Sequence, residues 1–138
     1  MERIAEKYKV LCNALITLHE SIELWHGSTG KGILIERALR DSVIQRFEYN
    51  IDIFWKYIKL YMQDYQKITL DIASPRGILQ AARTHNIISV DEFVKLMNAV
   101  SDRNLTCHTY NEELAIEIAN RVPEHYTLIH NLTHRLPV

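Results

Sequence analysis

The sequence predicts an all-α chain, and three observations predict it. Apolar residues recur at alternating spacings of three and four through the long segments, helix-start signatures stand at Ser74-Pro75, Ser89-x-x-Glu92 and Thr109-x-x-Glu112, and only one short stretch alternates as a strand would. With 138 residues and 47% hydrophobic content, the chain reads as a single helical domain, 1–138, able to bury a core.

The first helix is marked by Ile4, Tyr8, Leu11, Leu15, Leu18, Ile22 and Trp25, one apolar stripe along about six turns. Gly27-Ser28-Thr29-Gly30-Lys31-Gly32 ends it. Glycine content alone suggests a phosphate loop, but Gly30-Lys31 is not followed by Ser or Thr and the preceding element is helical, so the stretch is a connector. A second helix is expected from about Ile35 to Tyr65, with Ile44, Phe47, Ile51, Phe54, Ile58, Tyr61 and Tyr65 on one face. Ile53, Tyr57 and Leu60 occupy another face, which places this helix at the centre of the bundle or in a dimer interface. Tyr49, Tyr57 and Tyr61 are expected in the core. Residues 66 to 73 alternate Ile68, Leu70 and Ile72, but a lone short strand has no partner, so an extended connector is expected.

Ser74-Pro75 opens a short third helix, because proline is preorganised for the first helical position, and Asn86 is its candidate stop. The capping box Ser89-x-x-Glu92 opens a fourth, with Phe93, Leu96, Met97 and Val100 inward and Arg103 at its end. The last helix starts near Tyr110, with Thr109-x-x-Glu112 as its capping box, and turns Leu114, Ile118, Val122, Ile129, Leu132 and Leu136 inward. Pro123 should kink it, since the ring clashes with the carbonyl of Ala119 and one hydrogen bond is lost.

Sixteen Lys and Arg against 17 Asp and Glu leave a net charge of −1, which excludes a generally basic nucleic-acid binder. DNA is not an expected partner, and any RNA contact must be local. Cys12 and Cys107 stand in no metal spacing and are too few for a disulfide framework, so a reducing, cytoplasmic setting is expected. No signal-peptide pattern and no apolar run of membrane-spanning length appear, so no membrane association is expected.

The chemistry is concentrated in Arg103-Asn104-Leu105-Thr106-Cys107-His108-Thr109-Tyr110. A guanidinium suits a phosphate because its fork donates two parallel hydrogen bonds, and an imidazole can carry a proton in either direction near neutrality. Five residues apart, Arg103 and His108 would point about 140° from one another on an unbroken helix. They converge only if the helix breaks between them or if a second chain supplies the partner. Thr106, Thr109 and Asn111 favour a break, which leaves His108 just ahead of a helix N-terminus, where free N–H groups attract anions. Asn104 would cap the helix end, or hold Arg103 or a phosphate. Metal-free RNA cleavage uses the substrate's 2′-hydroxyl as nucleophile and needs a base, an acid and a cation, with no cofactor. One motif supplies a single imidazole, whereas two motifs across a dimer axis supply both proton carriers. His125, His130 and His134 do not complete a metal site, since only the last two share a face, and they are expected at the surface or rim.

This block resembles the Arg-x4-His-x-Tyr motif of the HEPN superfamily, and more closely the nucleotidyltransferase substrate-binding proteins. The resemblance extends through Ile44-Gln45-Arg46-Phe47-Glu48-Tyr49, Trp55-Lys56 and Ser74-Pro75-Arg76 to Arg103-Asn104-Leu105-Thr106 and His108-Thr109-Tyr110. It implies an up-and-down four-helix bundle with an additional short helix, a homodimer, and a partner nucleotidyltransferase of the minimal type, often made from an adjacent gene. It also implies a metal-independent endoribonuclease toxin, with Arg103 and His108 cleaving RNA, Asn104 assisting and Tyr110 as the residue the partner modifies with adenylyl groups. The alternative is a non-catalytic nucleotide- or substrate-binding subunit of a two-chain nucleotidyltransferase. The chain carries no Gly-Ser followed by paired aspartates, so transferase chemistry is expected on the partner. A purely structural helical scaffold would require the whole motif to be coincidental.

Overall fold

The computed structural model describes residues 2–137. Its helices follow in order as α1 (Glu2–His26), α2 (Ile33–Leu60), α3 (Pro75–Thr84), α4 (Val90–Leu105) and α5 (Glu112–Arg135). A π-helical turn, Tyr61–Tyr65, prolongs α2, and a 3₁₀ turn, Thr106–His108, follows α4. Residues 66 to 73 form an extended connector without strand pairing, as their isolation requires. The fold is the expected four-helix bundle with one short extra helix.

Helix α2 touches all four of the other helices, which explains its two apolar faces. One face buries Phe47, Ile51, Phe54 and Ile58, and Tyr57 is buried as well, against the α1 stripe of Ile4, Leu11, Leu15 and Leu18. Each of these large side chains is worth about 1.5–3 kcal/mol when removed from water, so the stripes alone dictate which faces meet. The buried Tyr57 hydroxyl donates to the carbonyl of Leu136 at 2.6 Å, tying the centre of the bundle to the end of α5. Tyr49 departs from expectation: it is 52% exposed, because it stands two residues after Phe47, about 200° further round the helix.

Helix starts follow their local chemistry. Ser74 accepts from the Gly77 amide, and Ser89 and Glu92 form the reciprocal capping box. Asn86 takes a left-handed φ of 59° just beyond α3, a conformation asparagine tolerates. Gly32, at the N-cap of α2, has φ 111° and no side chain to cap with. The Glu36 carboxylate instead reaches back to the Gly30 amide at 2.8 Å. At α5 the cap is Asn111, whose Oδ1 accepts from the Leu114 amide at 3.3 Å. The expected Thr109 box does not form, since the Thr109 hydroxyl donates to the Thr106 carbonyl at 2.9 Å. Helix α5 continues through Pro123 as one element. Its C-terminal end is bound to the start of α4, where Arg135 meets Glu92 at 2.7 Å and donates to the Ile87 carbonyl.

Candidate functional site

The helix break expected between Arg103 and His108 is present. Helix α4 ends at Leu105, and the Thr106 hydroxyl donates to the Arg103 carbonyl at 2.7 Å, using the backbone acceptor that a longer helix would need. His108 closes the 3₁₀ turn and lies exposed, three residues ahead of the Asn111 cap. Tyr110 is 87% exposed, and its ring meets the His108 ring edge-on with centroids 6.1 Å apart. Asn104 is exposed, and among the described residues its side chain makes no hydrogen bond to Arg103.

Arg103 is not an open phosphate fork. Its Nε and Nη2 donate to the two carboxylate oxygens of Asp52, both at 3.0 Å, and Nη1 donates to Glu48 and to Thr106, each at 3.2 Å. Asp52 foremost, with Glu48 behind it, holds the guanidinium still more firmly in its charged form. Both acids lie one turn apart on α2, a pair whose meaning becomes visible only once α4 packs beside it. The local balance is therefore one cation against two carboxylates. His108 does not join this network: among the described residues its ring makes no hydrogen bond and meets the Tyr110 ring edge-on.

A second polar cluster was not anticipated from the sequence. Asp102, adjacent to Arg103 but directed toward α5, receives two hydrogen bonds from Arg121, at 2.9 and 2.8 Å. Its Oδ2 lies 2.7 Å from Nε2 of His125. An ionised carboxylate only accepts, so His125 carries its proton on Nε2. His125 is buried rather than at the surface, and stacks on Phe47 with centroids 5.4 Å apart. Burial pushes the Asp102 carboxyl up, but Arg121 and His125 outweigh it and hold it below the ordinary carboxylate range. The available signal was the four-residue spacing of Arg121 and His125, which puts both on one face of α5. A further buried cation, Arg40 on α2, is satisfied by Asp41 and by Glu112 at the start of α5, each at 3.0 Å.

Among the described residues no group of three His, Cys, Asp or Glu side chains is placed to hold a metal ion. Among the described residues no helix is long and apolar enough to cross a membrane.

Residues 6–137 match the family model described as nucleotidyltransferase substrate binding protein like. The chain belongs to this family. Similar solved structures include a Thermus thermophilus protein with 34% sequence identity and a TM-score of 0.77, the match covering 91% of this chain and 98% of that one. The same fold is seen in a Haemophilus influenzae protein described as having the fold of a substrate binding domain of a nucleotidyltransferase. That likeness has 22% identity, a TM-score of 0.79, and covers 94% of this chain and 98% of that one. No curated protein matches the chain.

Proposed function

We propose that this chain is the non-catalytic binding subunit of a two-chain nucleotidyltransferase, holding a nucleotide or other acceptor for a minimal nucleotidyltransferase partner. The observation that carries this reading is the engagement of Arg103 by Asp52 and Glu48. With its guanidinium matched to two carboxylates the cluster is net negative and disfavours a phosphorane, so the motif is better suited to positioning α4 on α2 than to cleavage. Family membership supports the same reading. Three consecutive exposed aliphatic residues at the start of α2, Ile33, Leu34 and Ile35, give a partner protein an apolar surface to cover.

The exposure of His108 and Tyr110 favours a second reading, the metal-independent ribonuclease toxin of a HEPN pair. In that reading two copies of the chain face one another, Arg103 and His108 of each act on RNA, Asn104 assists, and the partner silences the toxin by adenylylating Tyr110. Its 87% exposure makes the Tyr110 hydroxyl open to attack. Adding nucleotides there would bring phosphate charge beside His108.

Expressing the chain without its partner separates the two. The binding-subunit reading expects normal growth and no RNA cleavage dependent on His108. Growth arrest relieved by His108→Ala, at an exposed position where substitutions usually stay within about 0.5 kcal/mol, would reverse the order of the readings. Intact-mass measurement after incubation with the partner, magnesium and ATP then tests Tyr110: additions on the wild type that are absent from Tyr110→Phe assign the acceptor.

A further inference from the structure

A groove of about 350 Å³ runs between α1 and α2. Its cations are Lys7, Lys56 and Lys59, with Arg3 at the α1 end, and no carboxylate lines it among the described residues. Arg3 is bound to Asp64 at 2.8 Å, but the three lysines form no salt bridge among the described residues. Such a concentration of positive charge is unexpected in a chain of net charge −1. Gln63 adds one amide, and the rest of the lining is apolar or aromatic: Val10, Ile53, Leu60, Tyr57, and Tyr49, which is half exposed and unexplained by the core.

We propose that this groove seats a nucleoside polyphosphate, with its base on Tyr49 and Ile53 and its phosphates on Lys7, Lys56 and Lys59. The meaning of such a seat rests on the binding-subunit reading. An anion alone would use the lysines and leave the aromatic and aliphatic surface without a function, whereas a base needs both a flat partner and a dry floor. An acidic helix from a partner would need several anchor pockets at helical spacing, and the groove is one concavity of small-molecule size. Tyr49 and Ile53 directly follow Glu48 and Asp52 on α2. A bound nucleotide therefore lies along the same helix that holds Arg103, where lysines supply the positive charge that Arg103 does not.

The test is a titration of the isotope-labelled full chain with ATP in the absence of metal, followed by backbone amide resonances, with adenosine and inorganic triphosphate as parallel arms. Saturable shifts at Lys7, Tyr49, Ile53 and Lys56 are expected. The double variant Lys56→Ala/Lys59→Ala should weaken ATP by roughly tenfold. Tyr49→Ala should weaken ATP by about threefold and leave triphosphate unchanged. All three positions lie on the surface of α2, and thermal melting checks that the variants fold. Shifts centred on residues 103–110, absence of saturation by about 5 mM, or equal binding of ATP and triphosphate with Tyr49→Ala silent would each overturn the proposal. A parallel pull-down with the partner nucleotidyltransferase keeps two failures apart. ATP binding without complex formation removes the binding-subunit reading and leaves the groove, while complex formation without ATP binding removes the groove alone.

Discussion

Arg103 and Asp52 form a two-pronged ion pair between α4 and α2, with Nε to Oδ1 and Nη2 to Oδ2 both at 3.0 Å. This pair decides how the motif is read, because a guanidinium whose fork is already matched to a carboxylate does not offer the same fork to a phosphate. It also joins two helices at the point where α4 ends, so it has a structural consequence that can be measured.

Arg103→Ala and Asp52→Ala should each lower stability by about 1 kcal/mol, and the double variant should lose less than the sum, with a coupling of about 0.5–1 kcal/mol. Urea denaturation of the four proteins checks this. The coupling should shrink as salt is raised, since both side chains are partly exposed. Full additivity would show that the pair is not formed in solution.

Asp102 predicts an acid limit to stability. Its folded carboxyl titrates below the ordinary value of 3.8, so the unfolded chain binds the proton more readily. The stabilisation is therefore complete above about pH 4 and is lost as pH falls through the lower folded value. Glu92, held down by Arg135, acts with the same sign. Asp102→Asn should cost about 1–3 kcal/mol at neutral pH and flatten the acid limb of the melting profile. An unchanged acid limb in that variant would assign the linkage to other carboxylates.

Tyr57→Phe should cost about 1 kcal/mol, because the buried Leu136 carbonyl loses its donor while the ring still fills its place. Hydrogen exchange should rise at the C-terminal end of α5 before it rises in α1. Uniform exchange across the bundle would contradict the view that this bond anchors that end.

The helices were legible because their signals are local. The α1 stripe, the Ser89 capping box, Pro75 and the break after Leu105 each depend on residues within a turn or two of one another. Tyr49 falls within the apolar pattern of α2 yet faces solvent, because its position relative to Phe47 turns it away from the core. The candidate site was less legible, because its decisive partners are distant in sequence. Asp52 is 51 residues from Arg103, and Arg121 and His125 are 19 and 23 residues from Asp102. Residue types at 103 and 108 suggested phosphate chemistry, but only helix packing showed what already occupies the guanidinium.

The proposed role of this chain is to bind for a partner that catalyses. The most direct measurement is nucleotide transfer from labelled ATP by the purified minimal nucleotidyltransferase, alone and with this chain added, while RNA in the same reaction is followed for cleavage. A binding subunit gives transfer that depends on the added chain, with RNA left intact and His108→Ala indistinguishable from wild type in the cleavage readout. Transfer indifferent to the chain, together with metal-independent RNA cleavage that His108→Ala abolishes, would contradict it.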